Sequence, residues 1–340
     1  VPFDDVLAQP LAITTLRRGL SSGRLHHALL FFGPDGVGKE LAAFGLACAL
    51  VCTERKPGPI EGALPEDGCG KCHACERALT VSPQGAPVPM HPDVVVVERG
   101  LYPKDVLGRS TDEKVDISVD QVRRVVLERM SLAPHEGRQR LVIIRRAEEL
   151  STGAANALLK TLEEPPWHTR FVLLTARPGE LLPTIRSRVL PVRFSPLPDE
   201  VVVQLLRARG IDDAHAHDAA MLAGGSVEAA LARSDEGAAQ KRRAAIEELR
   251  KASEGSLSTL LAATAAYGNA ADDRRELSDH LEALQASDVL ELRRLLRESP
   301  DDPRVDAALR RWQAAREVIG ALDRNANVPL ALETGLLRAR

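Results

Sequence analysis

Short apolar runs alternate with amphipathic stretches through the first half of the chain, and the alternation predicts a parallel α/β sheet. Ala28–Phe32 (ALLFF) is a buried strand that runs into a glycine-rich turn, followed by a helix through Leu41, Leu46 and Leu50. Asp93–Glu98 (DVVVVE), Leu141–Ile144, Phe171–Thr175 and Val189–Phe194 make four further strands, five in all. Ser118 opens a helix with Gln121 placed for a capping box, and Val119, Val122, Val126 and Met130 share one helical face. Ser151 caps another helix that reaches Glu164 and stops at Pro165-Pro166, where no backbone N–H is left to continue it.

The character changes after Ser195-Pro196-Leu197-Pro198. No strand pattern follows, and helical periodicity continues to Arg340, broken by a turn at Gly224–Ser226. Three domains are expected: an α/β module at 1–194, a small helical domain at 195–237 and a larger helical one at 238–340. The stretch 52–92, rich in Pro and Gly, is expected to leave the sheet as an insertion. Val305, Leu309 and Trp312 at helical spacing are expected to pack inside the last domain.

Composition narrows the function classes. Of 340 residues, 44% are hydrophobic and 27% charged, as in a globular protein with real cores. A net charge of −3 argues against binding polyanions by bulk electrostatics. No apolar run reaches the length of a membrane span. The first nine residues lack the basic region and apolar core of a signal peptide, so a cytoplasmic protein is expected.

Gly33-Pro34-Asp35-Gly36-Val37-Gly38-Lys39 follows a strand and precedes a helix, the setting of a phosphate-binding loop. Gly33, Gly36 and Gly38 let backbone N–H groups wrap a phosphate, and Lys39 adds a point charge. The alternative is a glycine-rich turn with a solvated lysine. Where a Ser or Thr would hold Mg²⁺ stands Glu40, which also suits the first turn of a helix. The third strand should end in an acidic pair but runs into Arg145-Arg146, and neither can bind metal or act as a base. These arginines are expected to pair with Glu148 or Glu149, or to be solvated. Cys52, Cys69, Cys72 and Cys75 have the spacing of a closed tetrahedral Zn²⁺ site that would stitch the insertion to the preceding helix. Cys48 and His73 are alternative ligands, and four free thiols the plain alternative. No carboxylate cluster suits two-metal nuclease or polymerase chemistry.

Ala155–Pro166 (ANALLKTLEEPP) resembles the signature helix of bacterial clamp-loader subunits, members of the AAA+ family. Ile185-Arg186-Ser187-Arg188 resembles their arginine-finger motif, with Val189 where a Cys is usual. His91-Pro92-Asp93, the four cysteines and Gly225–Leu231 fit in order and spacing, so the resemblance covers Phe3 to about Leu231. The rest resembles the family's collar domain weakly, through its length and Asn327–Leu337.

This resemblance implies a P-loop AAA+ module, a helical lid and an all-α collar. It also implies a ring with tau/gamma motor subunits and a delta subunit that loads a sliding clamp onto primed DNA. Arg188 would be the finger, reaching the γ-phosphate bound by a neighbour; the plain alternative is an arginine that caps the helix before the last strand, its charge suiting the C-terminal dipole. Glu40, Arg145-Arg146 and Glu228, which stands where the second-sensor arginine would be, all depart from the pattern at hydrolysis. Together they point to a stator that would leave any ATP or ADP held on Lys39 unhydrolysed. Lys160 and Glu163 are explained by a local ion pair. The rival reading is an ATP-hydrolysing motor or stand-alone AAA+ remodeller, and a third is a nucleotide-free scaffold.

Overall fold

A computed structural model describes residues 3–83, 86–108, 116–130, 132–234, 236–299, 301–323 and 326–339. The chain divides into two compact units, Val1–Val201 and Val202–Arg340.

In the first unit the five apolar runs form one sheet. Its strands are Ala28–Phe32 (β1), Val94–Val97 (β2), Arg140–Ile144 (β3), Thr169–Thr175 (β4) and Leu190–Arg193 (β5). All neighbouring pairs are parallel, in the order β2-β3-β4-β1-β5. The runs of β1–β4 are nearly continuous because strands covered on both faces have no solvent side, Val94–Val97 and Arg140–Ile144 being buried throughout; the edge strand β5 is buried only at Val192. The order sets β1 and β3 on either side of β4, so the turn after β1 and the end of β3 face one crevice beyond the carboxyl ends of the strands, where open α/β sheets place their ligands.

Helix Pro10–Ser21 (α1) precedes the sheet, and Lys39–Val51 (α2) follows β1. Helix α2 is buried nearly all round, including Ala42, Leu46, Cys48 and Leu50, because the sheet covers one side and the insertion another. Within the insertion, His73–Leu79 (α3) packs on α2, and at Gly68 the backbone comes so close that a Cβ would lie 2.3 Å from that of Cys48.

The helix opened by Ser118 departs from the regular spacing. After Val119–Gln121 the chain takes a π-helical turn over Val122–Leu127 and returns to α at Glu128–Met130. The wider turn brings Val125 inward beside Val122, Val126 and Met130, and Val119 is only half-buried. Ser118 Oγ accepts from the N–H of Gln121 at 3.2 Å, while the Gln121 amide donates to Glu98 O at 3.0 Å. Helix Thr152–Glu163 (α4) is capped as its sequence predicts, Ser151 Oγ accepting from Ala154 N–H at 3.1 Å. The short helix Pro183–Arg186 (α5) leads to β5.

The second unit is helical. It opens within the helix Asp199–Arg207, then come Asp213–Leu222 and Val227–Ser234, followed by Glu236–Glu254, Leu257–Ala265, Ala271–Glu298, Pro303–Asp323 and Val328–Arg338. The last five share a core that includes Leu249, Leu260, Leu277, Leu281, Val318 and Leu332. The inward face of Pro303–Asp323 is not the expected one: Leu309 is exposed and Trp312 half-buried, whereas Ala308, Arg311, Ala315, Val318 and Leu322 point in. The reason is electrostatic. Arg311, 6% exposed, donates to the fully buried Asp288 at 2.9 Å and to Glu254 at 2.9 Å, so a paired cation takes a core position. Trp312 instead lies under the Arg316 guanidinium, 5.5 Å away.

Candidate functional site

The turn after β1 has the backbone of a phosphate loop. Gly33, Gly36 and Gly38 all have positive φ. Gly33 is obligatory, since a Cβ there would lie 2.2 Å from the carbonyl oxygen of Phe194. Gly38 is the N-cap of α2, so the helix's unpaired N–H groups begin at the loop. Lys39 turns back onto its own loop, where its ammonium donates to Gly33 O at 2.5 Å, Pro34 O at 2.6 Å and Asp35 Oδ1 at 3.2 Å. It is nine-tenths buried there. Any phosphate would compete with these partners for Lys39.

Glu40 and Arg145 are separated by 105 residues and meet in an ion pair. The other end of the guanidinium donates to Glu98 at 2.9 Å. Register explains the second contact: Val97 pairs with Ile144, so the residues after them, Glu98 and Arg145, emerge side by side. The expected pairing of Arg145 with Glu148 or Glu149 therefore fails, because the sheet supplies nearer carboxylates. Burial alone would lower the Arg145 pKa, but Glu40 and Glu98 outweigh it and hold the group above its ordinary value. Arg146 meets both expectations: with φ 45° it is exposed and pairs with Glu149 at 3.7 Å.

These residues do not fit Mg²⁺. The ion takes hard oxygens in octahedral order, and here both available carboxylates face a guanidinium that repels a second cation. The crevice sets two cations, Lys39 and Arg145, against three carboxylates, Asp35, Glu40 and Glu98.

Arg188 lies just past α5. Its Nε donates to Glu163 Oε1 at 2.7 Å, Nη2 donates to the same oxygen, and Nη1 donates to Thr184 O at 2.9 Å and Ser187 Oγ at 3.0 Å. Glu163 therefore pairs with Arg188 and not with Lys160 as expected, a contact set by the packing of α4 against α5. Glu228 is exposed in the first turn of Val227–Ser234 in the second unit.

The four cysteines converge: the sulfurs of Cys52, Cys69, Cys72 and Cys75 all lie within 4.8 Å of one another, and the group includes neither Cys48 nor His73. Cys69 and Cys75 are 4.0 Å apart, as are Cys52 and Cys72. A tetrahedral thiolate site with metal–sulfur bonds of about 2.3 Å has edges of about 3.8 Å, so the set fits one ion. Backbone N–H groups already point at the sulfurs, from Cys72 to Cys69 at 3.2 Å and from Arg55 to Cys52 at 3.3 Å. Burial pushes Cys69 up to about 11. Burial also pulls Cys72 upward, but backbone N–H groups of Cys75 and Thr53 prevail and bring it down to about 5.

Three supporting residues have contacts that the sequence does not foretell. Gln9, buried, clamps Ser195 through both ends of its amide, at 2.7 and 2.9 Å, and donates to Val37 O in the loop at 3.3 Å. Glu98 anchors Arg145. Asp93 accepts from the N–H groups of His135, Glu136 and Gly137 at 2.7–2.8 Å. Those bonds outweigh burial and hold its carboxyl below the usual range.

Among the described residues no helix is long and apolar enough to cross a membrane. The tau subunit of DNA polymerase III from Escherichia coli (strain K12) is 31% identical over 273 residues, 80% of this chain and 36% of that protein. The delta' subunit from Pseudomonas aeruginosa is 34% identical over 228 residues, 66% of this chain and 61% of that one. The delta' subunit from Yersinia pestis is 36% identical over 170 residues, 49% and 41% of the two chains. The matched part of the chain thus spans less than two thirds of each relative. A crystal structure of a gamma-subunit-related protein from Thermotoga maritima covers 97% of this chain and 100% of its own at 18% identity, with a TM-score of 0.40, too low to support more. The family model described as DNA polymerase III, delta subunit matches residues 8–198, more than half of the chain, and the protein belongs to that family of clamp-loader AAA+ subunits.

Proposed function

We propose that this chain is a delta-prime-type stator of a bacterial clamp loader, which completes a neighbour's ATPase site with Arg188 and hydrolyses nothing in its own. The observation that carries this reading is the ion pair of Glu40 with Arg145, braced by Glu98. Hydrolysis on a P-loop needs Mg²⁺ bridging the β- and γ-phosphates and a group that orients water. A guanidinium can neither ligate the metal nor take a proton. In this reading residues 195–237 are a lid and 238–340 a collar. The partners are tau/gamma and delta subunits, with the clamp and primed DNA reached through the complex in the cytoplasm. Cys52, Cys69, Cys72 and Cys75 hold a structural Zn²⁺, and ATP or ADP sits on the Lys39 loop unhydrolysed, if at all.

The test is ATP turnover by the reconstituted loader, stimulated by clamp and primed DNA. Arg188→Ala should remove about 10³–10⁵ in rate from the site it serves while the complex still assembles. Unchanged turnover would leave Arg188 structural. One finding favours a motor instead: the tau relative matches 80% of this chain, and Lys39 with its glycines is intact. Turnover by the isolated chain above a Lys39→Ala control would establish the motor and end the stator reading.

A further inference from the structure

We propose that Glu163 is a positioning residue for the finger, holding the Arg188 guanidinium at a fixed place on the surface before a neighbour's nucleotide meets it. The inference rests on Arg188 acting in trans, and it concerns how that arginine is made ready.

Three features carry it. The first is the completeness of the tether. A guanidinium has five N–H donors, and four of them are engaged: two by Glu163, one by Thr184 O and one by Ser187 Oγ. Arginine is long and rich in rotamers, and a group that must meet a phosphate in another subunit loses that freedom either on folding or at the reacting step. Here it is lost on folding.

The second feature is the rigidity of the anchors. Leu158 and Leu162 on α4 belong to the same buried cluster as Leu181, Ile185 and Val189, which flank or lie on α5. The carboxylate and the carbonyl that hold Arg188 therefore sit on two packed helix ends, and α4 is stopped at Pro165-Pro166 just beyond Glu163.

The third is that Glu163 is misplaced for its own helix. A carboxylate in the last turn opposes the helix dipole, so the position is unfavourable until a cation joins it. Arg188 supplies that cation from 25 residues away. The pair leaves the Arg188 side chain 31% exposed, held yet open to an approaching anion.

The reconstituted loader, with clamp and primed DNA, distinguishes the outcomes when Arg188→Ala, Glu163→Ala and Glu163→Gln are compared with the parent chain. Glu163→Ala should lower kcat by about tenfold or more with KM for ATP little changed. Glu163→Gln, which retains an accepting oxygen, should recover most of the loss. Assembly is followed by size-exclusion chromatography, and if the alanine variant fails to assemble, the glutamine variant and a Glu163→Asp variant, whose shorter arm withdraws the oxygen, carry the comparison. Turnover at or above the parental rate for Glu163→Ala, with Arg188→Ala slow, would overturn the positioning role and leave the stator reading intact. A glutamine variant as slow as alanine would also overturn it, since the amide oxygen can still accept the hydrogen bonds that hold the guanidinium. Parental turnover for Arg188→Ala would instead remove the stator reading itself.

Discussion

If the ion pair at the crevice replaces the metal, breaking it should destabilise the first unit by an amount its exposure sets, and reversing it should readmit Mg²⁺. The side chains of Arg145, Glu98 and Glu40 are 23%, 30% and 49% exposed. Exposed pairs contribute about 0–1 kcal/mol, and breaking buried ones costs about 3–5 kcal/mol. The Glu40 arm, half in water, belongs near the top of the first range, about 1 kcal/mol, and the more enclosed Glu98 arm adds about 1–2 kcal/mol. Arg145→Met keeps an apolar stem, so its cost is chiefly the lost charge, about 2–3 kcal/mol, and Glu40→Gln should cost about 1 kcal/mol. The double variant should fall short of the sum by about 1 kcal/mol.

Hydrogen exchange of the β3 amides in the intact chain reads these differences where they arise. Additivity within about 0.3 kcal/mol would mean that the two side chains do not interact, and the argument against Mg²⁺ would lose its basis. A Glu40→Thr/Arg145→Asp chain supplies hard oxygens in place of the pair. MgATP should raise its melting temperature over that seen with ATP and EDTA, and should make no such difference in the parent. Equal dependence on Mg²⁺ in both chains would refute the reasoning.

Further outcomes follow from single residues. Asp93→Asn should cost about 3 kcal/mol at pH 7 by urea unfolding, because three N–H groups and the nearby Arg140 lose a carboxylate. Since the folded pKa of Asp93 is depressed, that contribution is present above about 3.9 and is lost as pH falls through the folded value; the gap between parent and variant should narrow in acid. Cys69→Ser should abolish one bound metal ion per chain by elemental analysis and expose the insertion 52–92 to proteolysis, and full metal content in the variant would exclude the four-sulfur site. Gly33→Ala, which drives a Cβ against Phe194 O at a positive φ, should cost at least about 2 kcal/mol in thermal unfolding.

Four of the five strands were legible because strands buried on both faces leave uninterrupted apolar runs, β5 being an edge strand that is largely exposed, and the observed ends differ from the predicted ones by at most two residues. The glycine-rich turn and the convergence of the four cysteines were legible for another reason: the residues that form them lie close together in the sequence. What escaped depends on distant register. Nothing near Arg145 in the sequence names Glu40 or Glu98; only the pairing of β2 with β3 and the approach of α2 do so. Locality misled at Glu163, where i and i+3 spacing suggested Lys160 and the fold supplied Arg188. The helix Pro303–Asp323 misled through polarity, since a buried arginine is improbable until Asp288 and Glu254 are seen beside it.

The same geometry separates the presence of a phosphate-loop motif from its use. Gly33 is required by the carbonyl of Phe194 whether or not a phosphate is bound, and Lys39 joins the carbonyls of Gly33 and Pro34 to Asp35 as a clasp within the turn. Both residues thus have a structural reason to be there, and neither their identity nor their spacing measures hydrolytic competence. The discriminating quantity is the charge next to Lys39, set by Glu40, Glu98 and Arg145. A hydrolysing crevice needs a divalent cation beside the lysine, whereas this one sets a guanidinium between two carboxylates and stands with three negative groups against two positive. A triphosphate entering without Mg²⁺ would add its own charge to that excess. If a nucleotide does bind here, the backbone N–H groups at the start of α2 are left to hold its phosphates, and the charge excess gives the γ-phosphate no added attraction. ADP should accordingly bind the isolated chain at least as tightly as ATP, and calorimetry showing a marked preference for ATP would mean that the ion pair opens to admit a metal.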